Sequence, residues 1–325
     1  RTAEGAARLG FGLRGDNVEL NQVLAFLPGL AENVEGTGSL RISGTMADNL
    51  RATGDVRVAS ARLFRVPLAD LRAPAELAYS PGGTGTLRVR SWTARLAGGH
   101  LRGNLSFRIG SDRSYQGDLT LAQVDLEPIT RVATESPRPA SGRVSGRITW
   151  SGRDPAQPQT LRGRIELDLD DASLFELPVF REMNRFLGAA QGGLFEDGDL
   201  VATVANRQIA IELLTLEGRI AQMYVAGTIG FNSELDLAAL VNTNQIIPQR
   251  GTALLALIPG YGTAAAGTLF IIQRIAQFLS NRLLKLHVTG TIRNPVVAID
   301  PSIDVPQPAV GFFSRVLGVP VNSQR

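Results

Sequence analysis

Most of this chain predicts antiparallel β-sheet, and three observations carry that reading. Apolar and polar residues alternate with period two along many short runs, giving each strand one apolar and one wet face. Gly, Asn, Asp and Ser punctuate the runs, as they do in antiparallel meanders. Only two amphipathic stretches show helical spacing, too few to cover so much apolar strand.

Taken in order, residues 1–37 form a mixed segment in which Asn17 to Leu30 reads as a short helix broken at Pro28-Gly29. Residues 38–133 carry the β-repeat. Leu40 and Ile42 oppose Arg41 and Ser43, and Val56 and Val58 oppose Arg57. Leu87 and Val89 oppose Arg88 and Arg90, while Leu105, Phe107 and Ile109 oppose Ser106 and Arg108. Residues 134–141 (TESPRPAS) are polar with two prolines, a linker or loop. The second β module spans 142–301, with Ile165, Leu167 and Leu169 sharing one face and Val225 and Ile229 sharing another. Helical spacing of Val179, Phe180, Met183, Phe186 and Leu187 predicts a helix over 178–190, ended by Gly192-Gly193.

Residues 252–272 carry no charge and have the length of a straight bilayer span. Pro259, Gly260 and Gly262 split them, so the expectation is a short apolar segment (Leu254, Leu255, Leu257, Ile258) and a helix over 264–284 with Phe270, Ile271 and Phe278. Such a pair would cap a groove or touch a membrane surface. Leu286, Val288 and Ile292 then alternate against Lys285, His287 and Thr289, with a break at Asn294-Pro295. The tail over 302–325 is Pro-rich and expected to be loosely ordered, with one apolar knot at Phe312-Phe313.

Alternation demands that each apolar face meet something. The faces could pack on each other into a dry core, or line an open trough completed by acyl chains. Periodicity leaves both open.

From Leu161 to Pro301 the order of features resembles the C-terminal module of AsmA-like proteins, the group that includes TamB-type envelope proteins. The resembling stretches are LRGRIELDLDDASL, LPVFREMNRFLG, FEDGDLVATVANRQIAIELLTLEGRIAQMYVAGTIGFNSELDLAAL and the closing LLKLHVTGTIRNPVVAIDP. The resemblance implies an elongated, twisted antiparallel sheet forming an open, taco-like groove. It implies a periplasmic, membrane-associated protein of a Gram-negative cell envelope, tethered to the inner membrane by an N-terminal helix upstream of Arg1. It further implies phospholipid transport toward the outer membrane, or support of outer-membrane biogenesis. The chain starts without Met or leader, so a longer parent protein is expected. The groove-lining expectation falls on Leu105, Phe107, Ile109, Ile165, Leu167, Leu169, Val225, Ile229, Leu286, Val288 and Ile292.

Composition argues against the commoner chemistries. The 325 residues contain no Cys and only His100 and His287, so thiol nucleophiles, Cys-ligated zinc and a His-based triad or metal cluster cannot be assembled. No cofactor is expected, and the reading is non-enzymatic. Asp168, Asp170 and Asp171 form an acidic group beside a turn without EF-hand spacing, and Glu166 with Asp168 is an ordinary carboxylate pair on a wet face. GYGTAAAG (Gly260 to Gly267) lacks the Gly-Lys-Ser/Thr ending of a phosphate loop. The net charge is only +3, carried by arginines interleaved with acids, and aromatics are 6%, so no nucleic-acid partner is expected. The alternative function is an assembly factor whose β-edges pair with nascent outer-membrane proteins.

Overall fold

The computed structural model describes residues 8–23, 31–134, 139–174, 177–187, 195–218, 221–243, 283–300 and 306–316. The strands form one 15-stranded antiparallel open sheet in which neighbours in sequence are neighbours in space, β1 through β15. Chain contacts divide the molecule into two compact units. The first comprises Arg1–Asp168 with Ala202–Gln208, and the second Leu169–Val201 with Ile209–Arg325.

The first unit is built from β1 (Leu9–Glu19), β2 (Val34–Met46), β3 (Leu50–Leu63), β4 (Val66–Ser80), β5 (Thr84–Leu96), β6 (Gly99–Ile109), β7 (Ser114–Asp125) and β8 (Ser141–Arg153). These strands are longer than the alternating runs predict, because several polar residues where the alternation breaks are β-bulges. Asn17, Asp70, Ser91 and Gln123 have φ of 62°, 50°, 53° and 55°. Each sits where the register shifts in β1, β4, β5 or β7. A bulge lets the strand continue while bending it and adding twist. True turns are tight: Phe64-Arg65 and Ala97-Gly98 both have positive φ at both positions, the geometry of a two-residue hairpin whose twist matches its strands.

Three expectations for this region are corrected. Asn17 to Glu19 belong to β1, and Leu20–Val23 form a helical turn, α1. Residues 24–30 lie outside the described residues. A helix absent from the sequence reading, α2 (Leu126–Thr134), occupies the end of the β-repeat and the first position of the expected linker. It is nucleated by Asp125, whose Oδ1 accepts the Glu127 backbone N–H at 2.9 Å. The Thr130 hydroxyl donates to the Ala140 carbonyl at 2.9 Å and ties the helix to the start of β8. α2 packs against β4 and β8, which the sheet order separates by three strands, so it lies across this end of the sheet. Buried Val58, Ala61, Leu68, Ala94, Leu101, Val124 and Val144 show where the first unit is densest.

Strand β9 (Arg162–Ser173) spans the division between units, and β10 (Phe195–Ala205) and β11 (Gln208–Gly218) follow. Asp168, Asp170 and Asp171 therefore lie inside β9 and not beside a turn, with Asp171 at φ 49°. The second unit continues with β12 (Ala221–Gly230), β13 (Leu235–Thr243), β14 (Leu283–Gly290) and β15 (Pro295–Ile299). Its predicted helix is present as α3 (Pro178–Leu187) and packs against β15. Ile292 leaves the alternation: β14 ends at Gly290, and Ile292 sits in the turn that Asn294-Pro295 forces. The expected capping pair, with Leu254, Leu255, Leu257, Ile258, Phe270, Ile271 and Phe278, lies outside the described residues, although Leu283 and Leu284 open β14.

The tail departs most from expectation. Gln307–Val316 form a helix, α4, whose Phe312 and Phe313 are buried edge-to-face with ring centroids 4.9 Å apart. They pack with Ala309 on Tyr224 of β12 and Leu240 of β13. The apolar knot, read as an isolated patch, finds a sheet face to bury it. No helix among the described residues is long and apolar enough to cross a membrane.

Candidate functional site

Strand register converts alternation into two continuous surfaces in the first unit. Directly opposed residues share a face. One row runs Leu13, Ile42, Gly54, Ala75, Val89, Leu105, Gly117 and Trp150 from β1 to β8. A second runs Phe11, Gly44, Ala52, Leu77, Leu87, Phe107, Tyr115 and Gly152. Between them lies Gly12, Ser43, Thr53, Glu76, Arg88, Ser106, Gln116 and Ser151, on the opposite face. No charged residue interrupts either apolar row.

Much of the apolar surface is neither dry nor fully solvated. Ile42, Ala75, Leu77, Leu87, Val89, Leu105 and Trp150 are half-buried, and toward β1 exposure rises until Leu13 is 59% exposed. Leaving so much contiguous apolar surface in contact with water is unusual and marks interaction surfaces.

The aromatic side chains on this face do not stand upright. Trp92 faces Gly103, Trp150 faces Gly117 and Tyr115 faces Gly152 across the ladder. A Cβ at Gly117 would come within 2.5 Å of Trp150 Cζ2, and one at Gly103 within 2.9 Å of Trp92 Cζ2. The rings thus lie over the neighbouring strand, filling the space its missing side chains leave. The result is a low apolar floor, and it explains why glycine recurs inside strands where it would otherwise weaken them. Sequence reasoning missed this pairing. The signal was the recurrence of strand-interior glycines at apolar-face positions on the strand next to each aromatic.

The opposite face carries the ions. Arg90 pairs with Glu76 at 3.2 Å, Arg147 with Asp118 at 3.0 Å, Arg57 with Asp55 at 2.6 Å, and Arg95 with Asp70. These side chains are largely exposed, so each pair contributes about 0–1 kcal/mol. Their main effect is to keep this face wet.

In the second unit the apolar rows are buried over β12 to β14 and open out at β15, where Ile299 is 45% exposed. Val225, Ala239, Leu286 and Ile299 form one row, and Gly227, Leu237, Val288 and Val297 the next. Leu286 and Val288 are 0% exposed. Phe180 of α3 meets Phe195 of β10 with centroids 6.5 Å apart, and Met183 beside it is buried. On the other face, α4 covers Tyr224, whose hydroxyl donates to the Glu212 carbonyl at 3.3 Å. Burial raises the Tyr224 pKa above its ordinary value.

The eleven expected lining residues therefore divide. Leu105 and Ile109 are half-buried on β6 beside buried Phe107. Ile165 and Leu167 are half-buried on β9 and Leu169 is buried. Val225, Leu286 and Val288 are core residues of the second unit, Ile229 is half-buried at the end of β12, and Ile292 is in a turn. The register brings Val225 and Leu286 into one row and leaves Leu105 and Phe107 in adjacent rows of the other unit.

Titratable groups gather little chemistry. His287 Nε2 lies 2.7 Å from Asp236 on the exposed face, and His100 is exposed. Glu166 of the carboxylate pair is bound by Arg164 at 2.6 Å. Among the described residues no group of three His, Asp or Glu could hold a metal ion. Tyr115 is held above its ordinary pKa by burial, with the Asp154 charge adding to the shift and a hydrogen bond from Thr160 opposing it. Comparison with protein-family models, with characterised proteins and with solved structures finds no match.

Proposed function

We propose that this protein is a non-enzymatic carrier whose first unit receives phospholipid acyl chains on its apolar face, in the periplasm of a Gram-negative envelope. The observation that carries the reading is the pair of uncharged, half-exposed rows from β1 to β8. Curling of the bulged strands turns that face into a trough, and acyl chains complete its lining. Each buried methylene contributes ~0.8 kcal/mol, and a floor without charged groups gives no preference among head groups. The resemblance of the region from Leu161 to Pro301 to AsmA-like modules supports the same role: lipid movement between inner and outer membranes or outer-membrane biogenesis.

Site-specific photocrosslinking tests this. A benzophenone side chain at Leu87 or Leu105 is expected to capture phospholipid, and one at Arg88, on the opposite face of the same strands, is not. Equal capture from both faces would sink the proposal.

One observation favours strand addition to nascent outer-membrane proteins. Among the described residues β1 ends the sheet, with Leu9, Phe11 and Leu13 all exposed. That reading predicts saturable binding of β-signal peptides, weakened by a proline at Leu13, with no lipid captured at Leu105.

A further inference from the structure

The face opposite the apolar rows carries more arginine than its acids neutralise. Glu76 lies directly across from Arg88, yet its carboxylate is held by Arg90. Asp118 is likewise held by Arg147. Among the described residues no carboxylate pairs with Arg51, Arg72, Arg88 or Arg102. Like charges also stand directly opposite one another, Arg14 against Arg41 and Arg57 against Arg72, with Asp16 and Asp55 neutralising only one arginine of each pair. Such pairs destabilise a sheet, and a protein retains a locally unfavourable choice mostly where a function needs it.

The surplus is shaped as well as concentrated. A depression of about 880 Å³ is lined by Arg51, Glu76 and Arg88 with Thr45 and Thr53, and also by Phe11 and Leu77 of the apolar row. A second of about 430 Å³ is lined by Arg88, Arg90 and Arg102 with Asn104, Ser106 and Asp118. They share Arg88, so guanidinium groups from β3, β5 and β6 border one polar strip whose only acids are already paired. Guanidinium presents a planar fork of donors that matches phosphate oxygens, and the hydroxyl and amide side chains add further donors.

We infer that this arginine strip docks the first unit on a bilayer of anionic phospholipid, through phosphate head groups and by charge. Nucleic acid is the poorer fit, because single strands need aromatic platforms. Trp92, Trp150, Phe107 and Tyr115 all belong to the other face. Arg51, Arg88 and Arg102 stand on the face opposite the apolar rows, so replacing them tests this inference separately from the proposed acyl-chain site.

Vesicle co-sedimentation of the full 325-residue chain tests it, comparing phosphatidylcholine alone with phosphatidylcholine containing phosphatidylglycerol. The added anionic lipid is expected to strengthen binding, and the gain to fade as salt rises from 50 to 500 mM, as screening requires (~10 Å Debye length at 0.1 M). Arg51→Gln, Arg88→Gln and Arg102→Gln together are expected to reduce the gain about 100-fold, at roughly fivefold per arginine. A control with Arg65→Gln and Arg207→Gln, at exposed turns, should keep most of it. Circular dichroism checks that the triple variant folds, and the salt series on the unmodified chain is an independent reading should it not. No gain from phosphatidylglycerol, a gain insensitive to salt, or an unchanged gain in a folded triple variant would each overturn the inference. So would equal competition by millimolar inorganic phosphate or by a short DNA duplex.

Discussion

The two units use the same device, a β-meander with one apolar face, and finish it differently. In the second, Leu286 and Val288 are 0% exposed, α3 packs against β15, and α4 covers Tyr224 and Leu240 on the reverse side. In the first, Leu105, Leu87 and Val89 stay half-exposed and α2 packs only at one end. Apolar alternation alone therefore does not say whether a face is core or surface. The covering element decides: among the described residues α4 buries one face of the second unit, while the apolar rows of the first stay largely half-buried.

One substitution made in both units breaks the comparison most sharply. Leu286→Asp places an unpaired carboxylate in a dry interior, and it should unfold the second unit at a cost above about 4 kcal/mol. Leu105→Asp, with water within reach, should cost less than about 1.5 kcal/mol. Urea denaturation followed by circular dichroism measures both, and similar losses would mean that the first unit also has a closed core.

Phe313→Ala should cost about 3–5 kcal/mol locally, seen as loss of amide protection over 307–316 while the first unit keeps its own. Protection lost everywhere would make the molecule one cooperative body.

Gly117→Val sharpens the account of the floor. A branched side chain there must displace the Trp150 ring, costing about 1–3 kcal/mol. In a Trp92→Phe background, where Trp150 is the remaining tryptophan, its emission should shift to the red. An unmoved emission maximum would contradict the ring's placement over Gly117.

The smallest effect concerns Tyr224, whose burial raises its pKa above the ordinary tyrosine value of about 10. An acid with a raised folded pKa keeps its proton in the folded state while the unfolded chain loses it. Its stability contribution is therefore full below pH 10 and declines as pH rises through the folded value. Tyr224→Phe should cost about 1 kcal/mol at pH 7, from the lost hydrogen bond to Glu212, and should flatten part of the alkaline decline. An unchanged alkaline slope would place the titration elsewhere.

Much of the fold was legible because alternation is a local property. Leu40 and Ile42, Leu87 and Val89, and Leu105 and Phe107 announce strands and faces within a few residues. What escaped was set by partners far along the chain or by unusual backbone. The bulges at Asp70, Ser91 and Gln123 escaped, because a polar residue that can take positive φ serves a turn and a bulge equally well. Helix α2 was hidden by its nine-residue length and Pro128, although Asp125 as its cap was in view. Phe312 and Phe313 looked stranded because Tyr224 and Leu240, which receive them, are some 70 to 90 residues away. The apolar site was legible as a list of residues, but not its division. Leu286 and Leu105 alternate alike in sequence, and only packing makes one core and the other surface.

The most direct measurement is native mass spectrometry of the purified 325-residue chain, with lipid extraction of the same sample. The account predicts co-purifying phospholipid that is lost in Leu105→Asp and retained in Arg88→Gln, both variants remaining folded. A folded, lipid-free chain, or lipid retained in Leu105→Asp, would contradict an acyl-chain site on the apolar face of the first unit.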